Sequence, residues 1–303
     1  MSIKISQTPS VQTFFQETSG LLNSEGNPRL KQVINRLLTD TVKIIEDLEI
    51  TTEEFWKAVA YLNQLGARQE AALLMAGLGL EHYLDLLSDA QDEQAGMTGG
   101  TPRTIEGPLY VAGAPISEGE ARMDDGTDDG TVMFLHGQVL DEKDQPVAGA
   151  TVDIWHANTN GGYSHFDPSQ SSYNLRRRVI TDREGRYRVR SILPSGYGCP
   201  ADGPTQALLD SLGRHGNRPA HIHFFISAPG CRHLTTQINL AGDKYLWDDF
   251  AYATRDGLVC DVNFNDDLPG LEGRSADIRF DFQLQPARSA THEVIGQRQR
   301  VES

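Results

Sequence analysis

Cysteine is scarce: Cys199, Cys231 and Cys260 are the only three in 303 residues. An odd number at wide spacing argues against a disulfide framework or a cysteine zinc site, and fits thiols used as core filler in a reducing compartment. Long apolar runs are missing too. No stretch of about 18 apolar residues exists, so no membrane span is expected. Met1-Ser2-Ile3-Lys4 opens no apolar signal core, which makes a cytoplasmic location the expectation. Positive charge is in deficit, with 27 Lys and Arg against 42 Asp and Glu and a net charge of −15. Such a surface repels phosphate, so nucleic-acid binding is not expected, although a local cation such as Arg218 can override the global sign. Internal repeats and low-complexity tracts are also lacking.

What remains is an ordinary globular composition, 38% hydrophobic and 23% charged, in a chain long enough for two domains or for one domain with a large extension. The first hundred residues read as helices. Leu30, Val33, Ile34, Leu37, Leu38, Ile44, Ile45 and Leu48 mark one face of a 3.6-residue repeat. Asn27 is placed to cap that helix and Pro28 to occupy its first position. Thr51 and Glu54 have capping-box spacing for a second helix, with Gly66 as its stop. A third helical stretch is predicted over 69–87 and a linker over 91–104.

The texture then changes to short segments between turn residues: 131–139, 151–156, 186–192, 221–226, 235–240 and 277–284. Asp141–Asp144 and Asp182–Gly185 read as hairpin turns. The prediction is a mainly β protein: a helical N-terminal region with linker over 1–104, a β-sandwich over 105–285, and a tail over 286–303 that packs on the helices or is partly disordered. The long segments 195–217 and 242–271 are loops of the kind that carry sites.

The sharpest local signal is Arg218-Pro219-Ala220-His221-Ile222-His223-Phe224. Residues two apart on a strand share a face, so His221 and His223 project together while Ala220, Ile222 and Phe224 face the other way. Two imidazoles on one face are either two legs of a metal site or two satisfied histidines, and the pair alone does not decide. The metal would depend on the other ligands. No Asp or Glu just before the pair offers a clear third, whereas Tyr163 and Tyr197 each follow glycine in a loop.

Three stretches in order resemble the intradiol ring-cleavage dioxygenases: Leu135-His136-Gly137-Gln138-Val139 with 151–158 and Gly161-Gly162-Tyr163; 181–187 leading to Leu193-Pro194 and Tyr197; and 218–223. The helical extension and the run 107–115 resemble the catechol-cleaving branch. The likeness covers roughly 104–285. It implies one Fe(III) per subunit bound by Tyr163, Tyr197, His221 and His223, with water or hydroxide beside them. It further implies catechol and O2 as substrates and cis,cis-muconate as product. Tyr197 would be the phenolate that leaves the metal and takes a substrate proton, while Arg218 stabilises negative charge on the ring and Gln237 stands behind it. Leu73, Ile105, Pro108, Leu109, Phe250 and Ala251 would line an apolar pocket, with Ala76 standing where this branch is expected to have proline. His136, His156 and His165 receive no ligand role.

Cleavage of chlorocatechol or hydroxyquinol is the alternative within the family. A non-catalytic metal-binding β-sandwich is the alternative outside it, and predicts that the two tyrosines lie apart from the histidines. The apolar stripes of the N-terminal helices exceed what one sandwich edge can cover, so a homodimer through them is expected. The resemblance also admits a lipid in that interface.

Overall fold

The computed structural model of the chain describes residues 4–266 and 273–287. The expected tail beyond Ala287 lies outside the described residues. Two compact units emerge, Met1–Ala67 and Arg68–Ser303.

The first unit is built on helices α1 (Pro9–Thr18), α2 (Pro28–Asp47) and α3 (Thr52–Arg68). Their starts are fixed by local chemistry. The Asn27 side chain accepts the backbone N–H groups of Arg29 and Leu30 at 2.9 and 3.1 Å, with Pro28 in the first turn. Thr51 and Glu54 cap each other reciprocally, Thr51 N–H to the Glu54 carboxylate at 2.8 Å and Glu54 N–H to the Thr51 hydroxyl at 3.2 Å. The Glu46 carboxylate accepts the backbone N–H groups of Ile5 and Ser6 at 2.6 and 2.8 Å, tying the N-terminal segment to α2. Gly66 does not stop α3. The helix runs on to Arg68 and breaks at Gln69, which takes the left-handed conformation with φ 56°. None of α2's residues is buried, and its apolar stripe is bare: Leu37 is 59% and Leu48 69% exposed.

The second unit opens with α4 (Ala71–Gly77) and α5 (Leu80–Gln94). The single stretch predicted over 69–87 is therefore two helices, divided at Gly79, whose φ of +73° an L side chain would resist. The linker also begins later than predicted, because 91–94 form the last turn of α5.

The remaining elements are β1 (Ile116–Glu118), β2 (Glu120–Arg122), β3 (Val132–Leu140), β4 (Thr151–His156), β5 (Arg176–Ile180), β6 (Arg186–Ile192), β7 (Tyr197–Gly198), α6 (Pro204–Ser211), β8 (Asn217–Arg218), β9 (His221–Ser227), β10 (Leu234–Leu240), β11 (Val259–Cys260), β12 (Asn263–Asn265), β13 (Ser275–Arg279) and β14 (Phe282–Gln283). One sheet has the order β1-β5-β4-β9-β10-β11; the other has β12-β13-β3-β6-β2, with β14 also on β3; β7 and β8 form a separate ladder.

Apolar side chains from both sheets fill the space between them, among them Leu135, Val152, Ile154, Phe224, Ile226 and Ile278, all essentially inaccessible. Each such burial contributes roughly 1.5–3 kcal/mol. In β3 burial alternates strictly between buried and half-buried, the mark of a sheet with one wet face. In β9 nearly every residue is buried, so the other face of that sheet is covered as well, and the candidate site lies on it.

The turn at Asp141–Asp144 forms as predicted, with the Asp141 carboxylate accepting the N–H groups of Lys143 and Gln145. The turn at Asp182–Gly185 also forms, but it links β5 to β6, which belong to different sheets, so it is a corner rather than a hairpin. The segment predicted at 277–284 is interrupted between β13 and β14. Strand β5 and helix α6 were not anticipated. β5 is almost all arginine at its start, Arg176-Arg177-Arg178, which hides its strand pattern.

Candidate metal and substrate site

Three paired strands build the floor. Trp155 of β4 lies opposite His223 of β9, and His223 lies opposite Gln237 of β10. Cross-strand partners share a face, so these side chains form one row. The Trp155 indole stacks on the His223 imidazole, 5.0 Å between centroids and 4° from parallel, and so fixes the ring plane. His221 sits two residues along on the same face. Its Nδ1–H donates to the Pro219 carbonyl at 2.7 Å, which makes Nε2 the nitrogen that carries the lone pair.

Loops deliver the tyrosines. Asn158 accepts the N–H groups of Asn160 and Gly162 at 3.0 and 2.8 Å, shaping the turn that precedes Tyr163. Gly161, with φ +80°, leaves room for the next loop: a Cβ there would stand 2.5 Å from the Cβ of Tyr197. Tyr197 is held by the β7–β8 ladder, directly opposite Arg218. Gly196 allows that closeness, since a Cβ on it would stand 2.6 Å from the Arg218 carbonyl oxygen.

The four candidate ligands meet. The Tyr163 and Tyr197 hydroxyls are 3.4 Å apart, the Tyr197 hydroxyl is 3.4 Å from His221 Nε2, and His221 Nε2 is 3.1 Å from His223 Nε2. A non-catalytic sandwich using the histidines alone predicted separated tyrosines, and this arrangement is the opposite. Among the described residues no cluster of three His, Cys, Asp or Glu suited to a metal occurs, so the facial-triad pattern of two histidines and a carboxylate finds no match.

The electrostatics follow from burial. Burial, helped by the adjacent Arg218 charge, pushes His221 down to about 3, and burial also holds His223 far below the usual imidazole range. Both are neutral at pH 7. Burial, then the neighbouring Tyr197, drives the Tyr163 phenol above its ordinary value. Two neutral imidazoles and two phenol oxygens thus crowd together with their lone pairs converging. That is a donor set suited to a cation, and a bound cation would reverse the penalty on the phenolates.

Arg218 and Gln237 lie beside this cluster. The Arg218 Nη2–H donates to Gln237 Oε1 at 2.8 Å, and its Nη1 lies 3.0 Å from His221 Nε2. Asp249, which sequence reasoning did not select, receives Arg218 Nε–H and Nη2–H at 3.2 and 3.1 Å. Burial opposes the Arg218 charge, but the Asp249 carboxylate and the neighbouring Tyr197 and Tyr163 oxygens together outweigh it and raise the guanidinium above its ordinary value. For Asp249 itself burial acts upward, but the charge and hydrogen bonds of Arg218 together with the Ala251 N–H bring it below its ordinary value, so the carboxylate is held ionised.

Of the predicted pocket residues, Ile105, Phe250 and Ala251 are buried together with Ala76, Leu209 and Ala253, and Leu73 packs against them. Leu109 packs instead against the aromatic group of Tyr110, Trp155, Tyr163 and Phe225. Pro108 belongs to neither group but follows Gly107, where a Cβ would lie 3.7 Å from His223 Cε1. Ala76, noted for its departure from the expected proline, stands inside the apolar cluster.

The unassigned histidines have ordinary surroundings. His156 contacts the Ala157 carbonyl and the Ser191 hydroxyl at 2.7 and 2.8 Å, His136 faces Asp277 at 3.2 Å, and His165 packs edge-on to Tyr173. An open concavity of about 600 Å³ on the second sheet, lined by residues such as Glu120, Arg186 and Asp277, includes none of the candidate residues. The missed signal for Trp155 was an aromatic on the face of β4 opposite the sandwich core, where a wet sheet would carry a polar residue. For Asp249 there was none, since its loop holds several aspartates.

Comparison with known proteins shows the family. The profile described as Dioxygenase matches residues 105–286, and that described as Catechol dioxygenase N terminus matches 27–96. The chain is 59% identical over 292 residues to the catechol 1,2-dioxygenase of Acinetobacter baylyi, covering 94% of each protein. It is 55% identical over 292 residues to that of a Pseudomonas strain, covering 94% of this chain and 97% of the relative. The crystal structure of catechol 1,2-dioxygenase from Pseudomonas arvilla C-1 superposes with a TM-score of 0.96 at 64% identity over 98% of each chain.

Proposed function

Because the chain belongs to the intradiol ring-cleavage dioxygenases, in the catechol 1,2-dioxygenase branch, we propose that it opens catechol with O2 to cis,cis-muconate at one ferric ion held by Tyr163, Tyr197, His221 and His223. The observation that carries this reading is the convergence of those two phenol oxygens and two imidazole nitrogens, with spacings of 3.1–3.4 Å. Phenolates are hard anionic donors that favour the ferric state, and the neutral imidazoles complete the set. Such an ion, when bound, would supply Lewis acidity that draws electron density from the catechol ring.

The chain's own groups do the rest. Tyr197, half-buried and beside the histidines, is placed to accept a catechol proton as a phenolate, so no further general base is needed. Tyr163, fully enclosed, stays in place. Arg218 presents a fixed guanidinium where negative charge develops on the substrate, and Gln237 fixes its outer nitrogen. Leu73, Ile105, Phe250 and Ala251 on one side, and Leu109 near the aromatic group, exclude water and orient a flat ring. Pro108 stiffens the segment between the two sides.

The bare stripe of α2 supports a homodimer through the N-terminal helices, and a lipid tail is chemically suited to the same surface. Sedimentation at micromolar protein giving monomer alone would refute the dimer. No helix among the described residues is long and apolar enough to cross a membrane. A cytoplasmic location remains part of this proposal.

The test is a visible spectrum of the pure protein before and after anaerobic catechol. The expected outcome is a red protein from phenolate-to-iron charge transfer, with a shift to longer wavelength on adding catechol and muconate formed once air is admitted. A colourless protein that folds and holds no iron, or a coloured one whose spectrum ignores catechol, would refute it.

A further inference from the structure

We propose that Asp249 is a positioning residue for ring cleavage: it sets the Arg218 guanidinium and locks it to the apolar wall that faces the substrate ring. This rests on the reading of Arg218 given above. The Asp249 carboxylate uses both oxygens in two directions. Toward the site, Oδ1 accepts Arg218 Nε–H at 3.2 Å and Oδ2 accepts Nη2–H at 3.1 Å, a two-point contact that fixes the guanidinium plane. Toward the loop, Oδ1 accepts the Ala251 N–H at 3.0 Å and Oδ2 the Ala253 N–H at 3.3 Å. Those two alanines, with Phe250 between Asp249 and Ala251, belong to the buried cluster that includes Ile105 and packs against Leu73. The Phe250 N–H also bonds to the Asn217 carbonyl at 3.1 Å, next to Arg218 on β8.

One buried carboxylate therefore holds four donors, two from the cation and two from the wall. The Arg218 and Asp249 side chains are only 4% and 1% exposed, so no water can take over either end without the loop moving. Gln237 alone cannot keep Arg218 in place, because it touches a single nitrogen, Nη2, and offers no charge. When the carboxylate is lost, the guanidinium is left charged and half-held in a dry site. It turns toward whatever acceptor or solvent it can reach, and the wall loses the two bonds that shape it.

The experiment measures kcat and KM of the iron-loaded enzyme as wild type, Asp249→Asn, Arg218→Ala and the double variant, with deuterium exchange of the 250–253 segment followed by mass spectrometry. In Asp249→Asn, kcat is expected to fall about tenfold or more with iron content retained, and in the Arg218→Ala background the same change is expected to cost under about twofold. Exchange over 250–253 is expected to accelerate in Asp249→Asn. Two losses that multiply in the double variant would overturn the positioning role, because a merely structural aspartate acts independently of Arg218. Unchanged exchange would overturn the link to the wall. Full turnover in Arg218→Ala would instead overturn the reading of the site on which this proposal stands. Should Asp249→Asn fail to fold, Asp249→Glu, which keeps the charge but displaces it by one methylene, is read through the same cycle.

Discussion

Asp85 offers a stability test that does not depend on catalysis. It lies on the inner face of α5 with Glu81 one turn before it and Asp89 one turn after. Arg103 and Arg255 approach that face, but both are engaged by Asp89, at 2.9 and 2.7 Å, and Arg103 also by Asp92. The Asp85 Oδ2 atom is buried with no hydrogen-bond partner. Burial, and after it the Glu81 carboxylate, push Asp85 up to about 7. In the unfolded chain an aspartate titrates near ~3.9. Between these values the folded protein keeps a proton that the unfolded protein has released. Stability therefore falls as pH rises through this window, and the penalty is complete above the folded value. About three units at ~1.36 kcal/mol each give an upper bound of roughly 4 kcal/mol. The side chain is partly open to solvent, which screens it, so about 2 kcal/mol is the working figure. Asp85→Asn should remove the penalty. Urea denaturation at equal iron loading should show the variant gaining about 2 kcal/mol over wild type at pH 8 and almost nothing near pH 4. A gap of equal size at both pH values, or a variant less stable at pH 8, would refute the reasoning.

Two other substitutions bear on the site itself. Gly161→Ala places a methyl group 2.5 Å from the Cβ of Tyr197 at a φ of +80°, so the two tyrosine loops must separate; iron analysis should show most of the metal lost and the colour with it. Tyr163→Phe should likewise lose iron or colour, whereas Tyr197→Phe should keep part of the iron and fail chiefly in turnover, which single-turnover kinetics on the loaded protein will separate from binding.

The legible parts of this chain are those where local chemistry and tertiary packing agree. The Asn27 cap and the Thr51–Glu54 box need only neighbouring backbone, and both are found as read. The His221–His223 pair needs only the period of a strand, and it faces away from Ile222 and Phe224 as that period requires. What stayed hidden depends on distant sequence. Gly66 looks like a stop, yet α3 continues past it, because a glycine is tolerated inside a helix at a cost of about 1 kcal/mol. The Asp182–Gly185 turn has hairpin composition, but composition does not say which sheet the next strand joins. Asp249 is one of three aspartates within seven residues, and only the approach of Arg218 from β8 distinguishes it.

The row Trp155–His223–Gln237 is stitched into three adjacent strands, whereas the apolar cluster proposed to face it comes from α4, α6, the segment at Ile105 and the loop around Phe250. In the proposed site the strands then supply a fixed hearth and the cluster an exchangeable roof. On that reading, trimming or enlarging Leu73 or Ala76 should alter the headroom over the ring without disturbing the strands that aim the imidazoles. Diversification of the accepted ring should therefore arise overhead, in the helical cover, while the floor beneath stays as it is.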